Sequence, residues 1–353
     1  MLLIRKFEII KIHKLKILFY ILLLISPFIG KSQNIDLLNQ FNDSIKANAL
    51  LMVGAQDFEQ KIIYSDKVSY FVQKLMKQEK SINYKMDSTN LVKVLTSKNK
   101  KFRIFTWVVP TDDNKFIFKG VVQTYSKSRK DYRIIELKDK THSIHRPYSK
   151  MLSAAKWYGA YYYKVIQTKR GSKYFYTLLG WKGNDKMVQS KIVEIATIKN
   201  NGDISFGYSL FKIKDYEYFK STPSVKRLIF SYSSKATMYL NYDYQTIVLK
   251  TYKKTKHKKT KQKYGFNAQA AVEKPNEKIK TIKDNLIVMD RLVPVSPELK
   301  EFSDFYYPES NIMDALRFEK SQWRYYPDID ARTKSSSSNK KQKKIEYNLT
   351  PSK

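Results

Sequence analysis

The apolar positions of the chain follow a helical period near the amino terminus and a strand period from about residue 100 onward. Over 35–96 they recur every three or four residues, which places them on one face of a helix. This segment predicts a first helix at its start, a second helix capped by Ser65 or Asp66, and a short third helix over 87–95. We therefore expect a helical amino-terminal region at 33–97.

Beyond this region the period changes to two, and β-branched and aromatic residues dominate. Segments such as "FRIFTWVV" (102–109) and "FIFKGVVQTY" (116–125) predict about ten strands, most of them joined by short turns. Short turns connect antiparallel neighbours, whereas Pro147 favours a helix over 147–156. The expected fold is mainly β in the α+β class, with an antiparallel meander over 98–330 that forms a curled sheet or a sandwich.

The stretch "YFYTLLGWKGND" (174–185) predicts a strand that runs into a turn. Gly180, Gly183 and Asn184 are expected to supply positive φ angles where the chain reverses. Trp181 then has two interpretations. Its ring covers the end of the sheet as an apolar plug, or it stacks on a sugar or a peptide as part of a binding surface.

A second aromatic segment, "AKWYGAYYYKV" (155–165), is also a candidate binding surface. It contains Trp157, Tyr161 and Tyr163. Three adjacent tyrosines cannot all face a core, so we expect at least one ring at the surface, where it could bind glycans or acidic polymers. The alternative is that these tyrosines are present for their β propensity alone.

The first 32 residues have the pattern of a secretory signal peptide. A basic segment precedes "ILFYILLLISPFI" (17–29), which as a helix spans about 20 Å, short of the ~30 Å hydrocarbon core. Small residues at Gly30 and Ser32 suit cleavage before Gln33. An uncleaved membrane anchor is the alternative. With signal 1–32 removed, we expect no membrane span and an exported protein, periplasmic or associated with the outer membrane.

The absence of cysteine and the high net charge limit the classes of partner that this protein is expected to bind. The chain has no cysteine, which excludes disulfides and the anchor of a bacterial lipoprotein, and its formal net charge is +35. Such a charge favours an acidic partner. We expect outer-membrane headgroups, an anionic polysaccharide or an envelope protein, and nucleic acid is disfavoured for an exported chain. Lysine supplies most of the positive charge. Because lysine acts as a point charge and lacks the fork of arginine, this favours a general electrostatic attraction over a site that recognises one ligand geometry.

Two segments interrupt the strand pattern. An insertion at 250–284, which begins with "KTYKKTKHKKTKQK" (250–263), and a low-complexity basic tail at 331–353 are both predicted to be disordered. The lysine run is either an electrostatic tether to an anionic surface or a solubilising loop produced by compositional drift. The lysines expected to bind are Lys253, Lys254, Lys256, Lys258 and Lys259.

No motif fixes a reaction. His142 and His145 offer too few ligands for a metal site, and neither a G-x-S-x-G elbow nor a P-loop is present, so we predict no metal and no cofactor. "PDID" places Asp328 and Asp330 on one face of a strand, about 7 Å apart. They could serve a hydrolase of envelope glycan, or they are solvated acids paired with nearby lysines.

Four blocks of the chain resemble, in order and spacing, a family of exported β-rich proteins of Bacteroidota. They begin with "KKFRIFTWVVP", "WYGAYYYKVIQ", "RLIFSYSSKAT" and "IVMDRLVPVSP", and the resemblance covers about 90–332. The resemblance implies that the protein is exported and that 90–332 form a continuous β-rich domain. It implies no particular activity. The favoured expectation is a non-enzymatic binding or scaffolding module of the envelope. The alternative is the carboxylate-dependent hydrolase.

Overall fold

The structure is a computed structural model that describes residues 35–86, 89–113, 115–213, 216–219, 224–252 and 277–329. Several sequence predictions lie outside the described residues: the signal peptide, the basic tail, the five lysines from Lys253 to Lys259, and Asp330. In the described ranges, no helix is both long and apolar enough to cross a membrane.

Two helices open the described chain, α1 at 35–54 and α2 at Phe58–Lys77. The predicted start of the second helix at Ser65 or Asp66 is wrong. Asp57 caps α2 instead, because its Oδ1 accepts the backbone N–H of Gln60 at 2.8 Å. Ser65 lies inside α2, where it is buried.

Fifteen strands follow along the described chain, and they form three sheets. In chain order they are β1 Val92–Thr96, β2 Phe102–Pro110, β3 Phe116–Ser126, β4 Asp131–Lys138, β5 Leu152–Ser153, β6 Tyr161–Arg170, β7 Lys173–Gly183, β8 Val188–Ile198, β9 Ile204–Phe206, β10 Phe211–Lys212, β11 Arg227–Ser233, β12 Leu240–Tyr252, β13 Glu277–Pro294, β14 Tyr306–Glu319 and β15 Gln322–Ile329.

The first sheet is an antiparallel meander in the order β1-β2-β3-β4. The third helix predicted over 87–95 is wrong, because Val92 to Thr96 pair with Trp107 to Arg103 of β2. The valines at positions 92 and 94 alternate with Lys93 and Leu95, a spacing that suits the edge strand of a sheet.

The second sheet has the order β5-β9-β8-β7-β6, and β11 also pairs with β8. The start of β8 pairs with β11 and its last three residues pair with β9, so two strands share one edge of β8. The helix predicted over 147–156 is wrong. Residues 152–153 form β5 and a 3₁₀ turn follows at Ala154–Lys156, while Trp157 exchanges backbone hydrogen bonds with the chain at Lys138 and Lys140.

The third sheet has the order β10-β15-β14-β13-β12 and is antiparallel except for the pair β10 and β15. The prediction of a disordered insertion over 250–284 is wrong for its first and last residues. Residues 250–252 belong to β12 and 277–284 to β13, where they pair in register. β14 starts its pairing with β13 at Leu286, so β12 and β13 continue beyond it as a two-stranded ribbon.

The helices and the three sheets stack as four layers, with an apolar core between each pair of neighbours. Phe105 and Trp107 of β2 face the helices, whereas Phe102 and Ile104 of the same strand face the second sheet. Strands of the second sheet likewise contribute alternate residues to the cores on their two sides. The predicted class, a mainly β and antiparallel α+β protein with amino-terminal helices, is confirmed.

Candidate functional site

Four hairpin turns of the first and second sheets meet at one end of the molecule. They connect β1 to β2, β3 to β4, β6 to β7 and β8 to β9. The backbone N–H of Tyr125 donates to the carbonyl of Lys101 at 2.9 Å, and that of Ser128 donates to the carbonyl of Asn200 at 3.1 Å. The second of these bonds crosses from one sheet to the other and holds two of the turns side by side.

Asn99 ties the first turn to the third. Its backbone N–H donates to Oε1 of Gln167 at 2.9 Å, and its Nδ2 donates to the hydroxyl of Tyr176 at 3.2 Å. In the fourth turn, Gly202 has a φ of +87°, and its carbonyl accepts the hydroxyl of Thr124. Because backbone and buried side chains make these links, the turns form a fixed surface.

This surface, which we call the basic end, carries a strong excess of positive charge. Its acids are Asp131 and Asp203, and Asp203 pairs with Arg133 of β4. The amide of Asn201 and the guanidinium of Arg133 lower the pKa of Asp203. Within the described residues, no ion pair joins the other cations of the basic end to a carboxylate. Those cations are Lys98, Lys100, Lys101, Lys127, Arg129, Lys130, Lys169, Arg170, Lys173 and Lys199.

A cleft of about 380 Å³ opens between the turns of the basic end. Four lysines and three tyrosines line it, together with small polar side chains from Ser172 and Asn200. Among the described residues, neither a carboxylate nor an arginine lines the cleft. A site of this size lies within the ~300–1,000 Å³ typical of small-molecule sites. The lysines are Lys101, Lys127, Lys173 and Lys199, and the tyrosines are Tyr125, Tyr174 and Tyr176.

Aromatic rings lie close to several ammonium groups of the basic end. The Nζ of Lys101 lies 5.6 Å from the ring centre of Tyr125, and that of Lys169 lies 5.7 Å from the ring centre of Tyr174. Lys173 is 5.0 Å from the ring of Tyr208. Cation–π contacts of this kind restrict a lysine without neutralising it. The cleft therefore presents positive charge and aromatic faces together.

The cleft lies outside the binding residues predicted from the sequence. Each turn shows its cations in the sequence, as "TSKNKK" (96–101) and "KRGSK" (169–173) do, yet the prediction placed the functional charge in the lysine run instead. The available signal was the recurrence of lysine in successive turns. Which turns share one end follows only from the strand order.

The predicted aromatic surface at Trp157 and Tyr161 is wrong, because both rings are buried. Trp157 is 0 % exposed and its Nε1 donates to the hydroxyl of Tyr162 at 3.2 Å. The hydroxyl of Tyr161 donates to the carbonyl of Asn90 at 2.6 Å. Tyr163 is half-buried, and its hydroxyl donates to the carbonyl of Leu240, which joins the second sheet to the third.

Trp181 is half-buried and packs edge-on against the ring of Phe116, with the ring centres 5.3 Å apart. Its Nε1 donates to Oε1 of Gln189 at 2.8 Å. Both contacts agree with its interpretation as a cover for the core at this end of the sheet. Trp181 lies outside the lining of the cleft.

The positive φ angles predicted at Gly180, Gly183 and Asn184 are wrong, since none of the three has one. The two glycines serve close packing. A Cβ at Gly180 would lie 2.8 Å from the ring of Tyr162, and a Cβ at Gly183 would overlap the ring of Phe116.

The carboxylates proposed for hydrolysis do not form a described pair. Asp328 is exposed with a φ of +50°, and its backbone N–H donates to Asp314 at 3.0 Å. Asp314 is fully buried and accepts two bonds from the guanidinium of Arg291 and one from the hydroxyl of Tyr325. Its oxygens are already occupied. In the described part of the chain, no three acidic or histidine side chains are grouped to hold a metal ion.

A buried polar cluster lies between the first and second sheets, away from solvent. Lys182 is 4 % exposed, and its Nζ donates to the carbonyl of Gly159 at 2.8 Å and to the hydroxyl of Thr141 at 3.0 Å. Burial lowers the pKa of Lys182 to about 8, although Asp139 and Glu194 act in the opposite direction. This cluster has the character of structural support, because no ligand can reach it without opening the core.

Comparisons of the chain with protein-family models, with curated proteins and with solved structures find no match. The geometry of the basic end therefore carries the functional argument.

Proposed function

We propose that this protein is an exported envelope protein that binds an anionic surface or polymer through its basic end. The observation that supports the proposal is the convergence of ten cations in four linked turns, with no described carboxylate paired to them. A signal-peptide pattern and the resemblance to exported proteins of Bacteroidota support the location.

The physical basis is electrostatic attraction. A lysine close to an anionic membrane surface contributes about 1 kcal/mol at low salt, and several act together when one rigid body holds them on one side. The linked backbone of the turns matters because the turns themselves do not have to be ordered upon binding. The attraction falls as salt shortens the screening length from about 10 Å at 0.1 M to about 3 Å at 1 M.

The alternative, a carboxylate-dependent hydrolase of envelope glycan, has weaker support. Such an enzyme needs two carboxyl groups that face one substrate bond, roughly 5–9.5 Å apart. Asp314 is buried, and its oxygens are occupied by Arg291, Tyr325 and the backbone N–H of Asp328. The cleft of the basic end is lined by cations, which cannot supply the acid and base of this mechanism.

Sedimentation with outer-membrane vesicles and with peptidoglycan sacculi tests the proposal at low and at high salt. The variant K127E/K173E/K199E changes three exposed lysines of the basic end. Its matched control, K140E/K186E/K235E, changes three exposed lysines that lie elsewhere, so the net charge of the two variants is identical. We expect salt-sensitive pelleting of the natural protein and of the control, and loss of pelleting in the basic-end variant.

A deletion of 253–263 in the full chain tests the predicted lysine tether separately. Pelleting that depends on this deletion and not on K127E/K173E/K199E would contradict the proposed site. Pelleting that is equally weak in both triple variants would show that net charge, and no particular surface, determines binding.

A further inference from the structure

We propose that the cleft at the centre of the basic end binds a sugar that carries a phosphate group. This inference rests on the proposed function and goes further, because it assigns a ligand class to one cavity. The lysines of the lining indicate that the ligand carries an anionic group. The aromatic and small polar side chains of the lining indicate that the rest of the ligand is a sugar.

The lysine lining favours phosphate. Lys127, Lys173 and Lys199 are exposed and line the cleft from three different turns. The Nζ of Lys173 lies over the rings of Phe175 and Tyr208, so Lys101, Lys127 and Lys199 are the lysines that we assign to the anion. Lysine contacts phosphate as a point charge, whereas planar carboxylates are held best by the fork of arginine. The described lining contains no arginine, and it contains no carboxylate that would repel a phosphate dianion.

The other groups of the lining favour a sugar ring. Tyr174 is half-buried beside the cleft, and Lys169 lies 5.7 Å from the centre of its ring. A tyrosine ring has flat apolar faces of the kind that stack on the C–H face of a sugar. Ser172 and Asn200 add a hydroxyl and an amide, which exchange hydrogen bonds with sugar hydroxyls. The cavity of about 380 Å³ lies near the lower end of the range for small-molecule sites, which suits one or two sugar rings.

The walls of the cleft are fixed before any ligand arrives. Lys101 and Tyr125 are joined by a backbone hydrogen bond, and so are Ser128 and Asn200. The hydroxyl of Tyr176 is held by Asn99. The backbone of these walls therefore loses little conformational entropy upon binding.

Calorimetric titration of the full chain with glucose 6-phosphate, inorganic phosphate and glucose tests the assignment. We expect glucose 6-phosphate to bind at least about tenfold more tightly than either of the other two probes, because each of them supplies only half of the contacts. In K127E/K173E/K199E, binding of glucose 6-phosphate should be lost.

Tyr174→Leu separates the sugar contact from the charge. This variant keeps an apolar side chain and removes the aromatic face, so it should weaken glucose 6-phosphate about tenfold and leave inorganic phosphate unchanged. Tyr70→Leu, at an exposed tyrosine of α2, is the matched control and should bind as the natural protein does. Equal binding of phosphate and glucose 6-phosphate, with no effect of Tyr174→Leu, would overturn the sugar assignment.

Competition distinguishes this inference from the proposed function and identifies the source of the sugar phosphate. Glucose 6-phosphate should release the protein from vesicles that contain a phosphorylated glycolipid if the ligand is a lipid headgroup, and from a phosphorylated polysaccharide if it is a polymer. Pelleting that glucose 6-phosphate fails to release from either would overturn the inference and leave the proposed function standing. Tighter binding of a single-stranded oligonucleotide than of glucose 6-phosphate would overturn it in favour of a nucleic-acid site.

Discussion

Arg227 and Glu194 face each other on neighbouring strands β11 and β8 as an ion pair in which both side chains are 0 % exposed. The hydroxyl of Tyr162 donates to the second oxygen of Glu194, and Arg227 also donates to the carbonyl of Pro147. The pair therefore links the second sheet to the segment that precedes β5. Burial and the charge of Glu194 raise the pKa of Tyr162 well above its ordinary value, so it stays a hydrogen-bond donor.

Replacing one partner of this pair should destabilise the fold strongly. Arg227→Met leaves the carboxylate of Glu194 in the core with Tyr162 as its remaining side-chain donor, and we expect a loss of about 3–5 kcal/mol in the free energy of unfolding. Urea denaturation followed by fluorescence measures it. In the double variant R227M/E194L, where no charge remains buried, the loss should be smaller than in R227M. A larger loss in the double variant would show that the charges themselves stabilise the core.

Lys182 should make stability depend on pH in the alkaline range. Its pKa in the folded protein is about 8, below the ordinary value of 10.5. Between these values the unfolded chain binds more protons, so Lys182 alone should raise the free energy of unfolding by about 2 kcal/mol from pH 7 to pH 9.5. Above pH 10 the buried tyrosines, whose pKa values are raised, act in the opposite direction because the unfolded chain then releases their protons first.

Urea denaturation across this pH range checks the prediction. Lys182→Met should reduce the rise, and Lys186→Met, at an exposed lysine, should leave it unchanged. Part of the slope should persist in Lys182→Met, because burial lowers the pKa of Lys191 to about 8 as well. The same slope in Lys182→Met and in the natural protein would show that Lys182 is solvated in solution.

Gly183→Ala should cost about 1–3 kcal/mol of stability, since the new methyl group would overlap the ring of Phe116 and crowd Trp181. Thermal unfolding by circular dichroism gives the change. Gly54→Ala is the matched control. A Cβ at this position at the end of α1 meets nothing within 4 Å, so the change should be neutral or slightly stabilising. If the two variants unfold alike, the packing argument for Gly183 fails.

The fold class could be predicted because most strands carry a strict period of two and end at turn residues. β14 was missed for a physical reason. Pro308 interrupts its alternation, Asn311 takes a positive φ of 61°, and the pairing with β13 shifts register between Asp290 and Leu292. An irregular strand of this kind gives no regular pattern in the sequence, and its neighbours in the sheet determine it.

The candidate site could not be assembled from the sequence. The cations of each turn were visible, but Ser128 and Asn200, which hold two of the turns together, are 72 residues apart. Their proximity follows from the stacking of two sheets, which no local pattern encodes. The prediction that Trp157 lies at a binding surface is wrong for the same reason. Its ring is buried in the core between the first and second sheets, and residues distant in the chain form that core.

The buried Trp323 of β15 has a consequence for the time course of folding. Its Nε1 donates to the hydroxyl of Thr177, 146 residues earlier in the chain, and β15 also pairs with β10 at Phe211. The core between the second and third sheets thus closes only when the last strand is present. Contacts of such long range slow folding to milliseconds or longer. During synthesis the chain therefore remains without this core until β15 has been made.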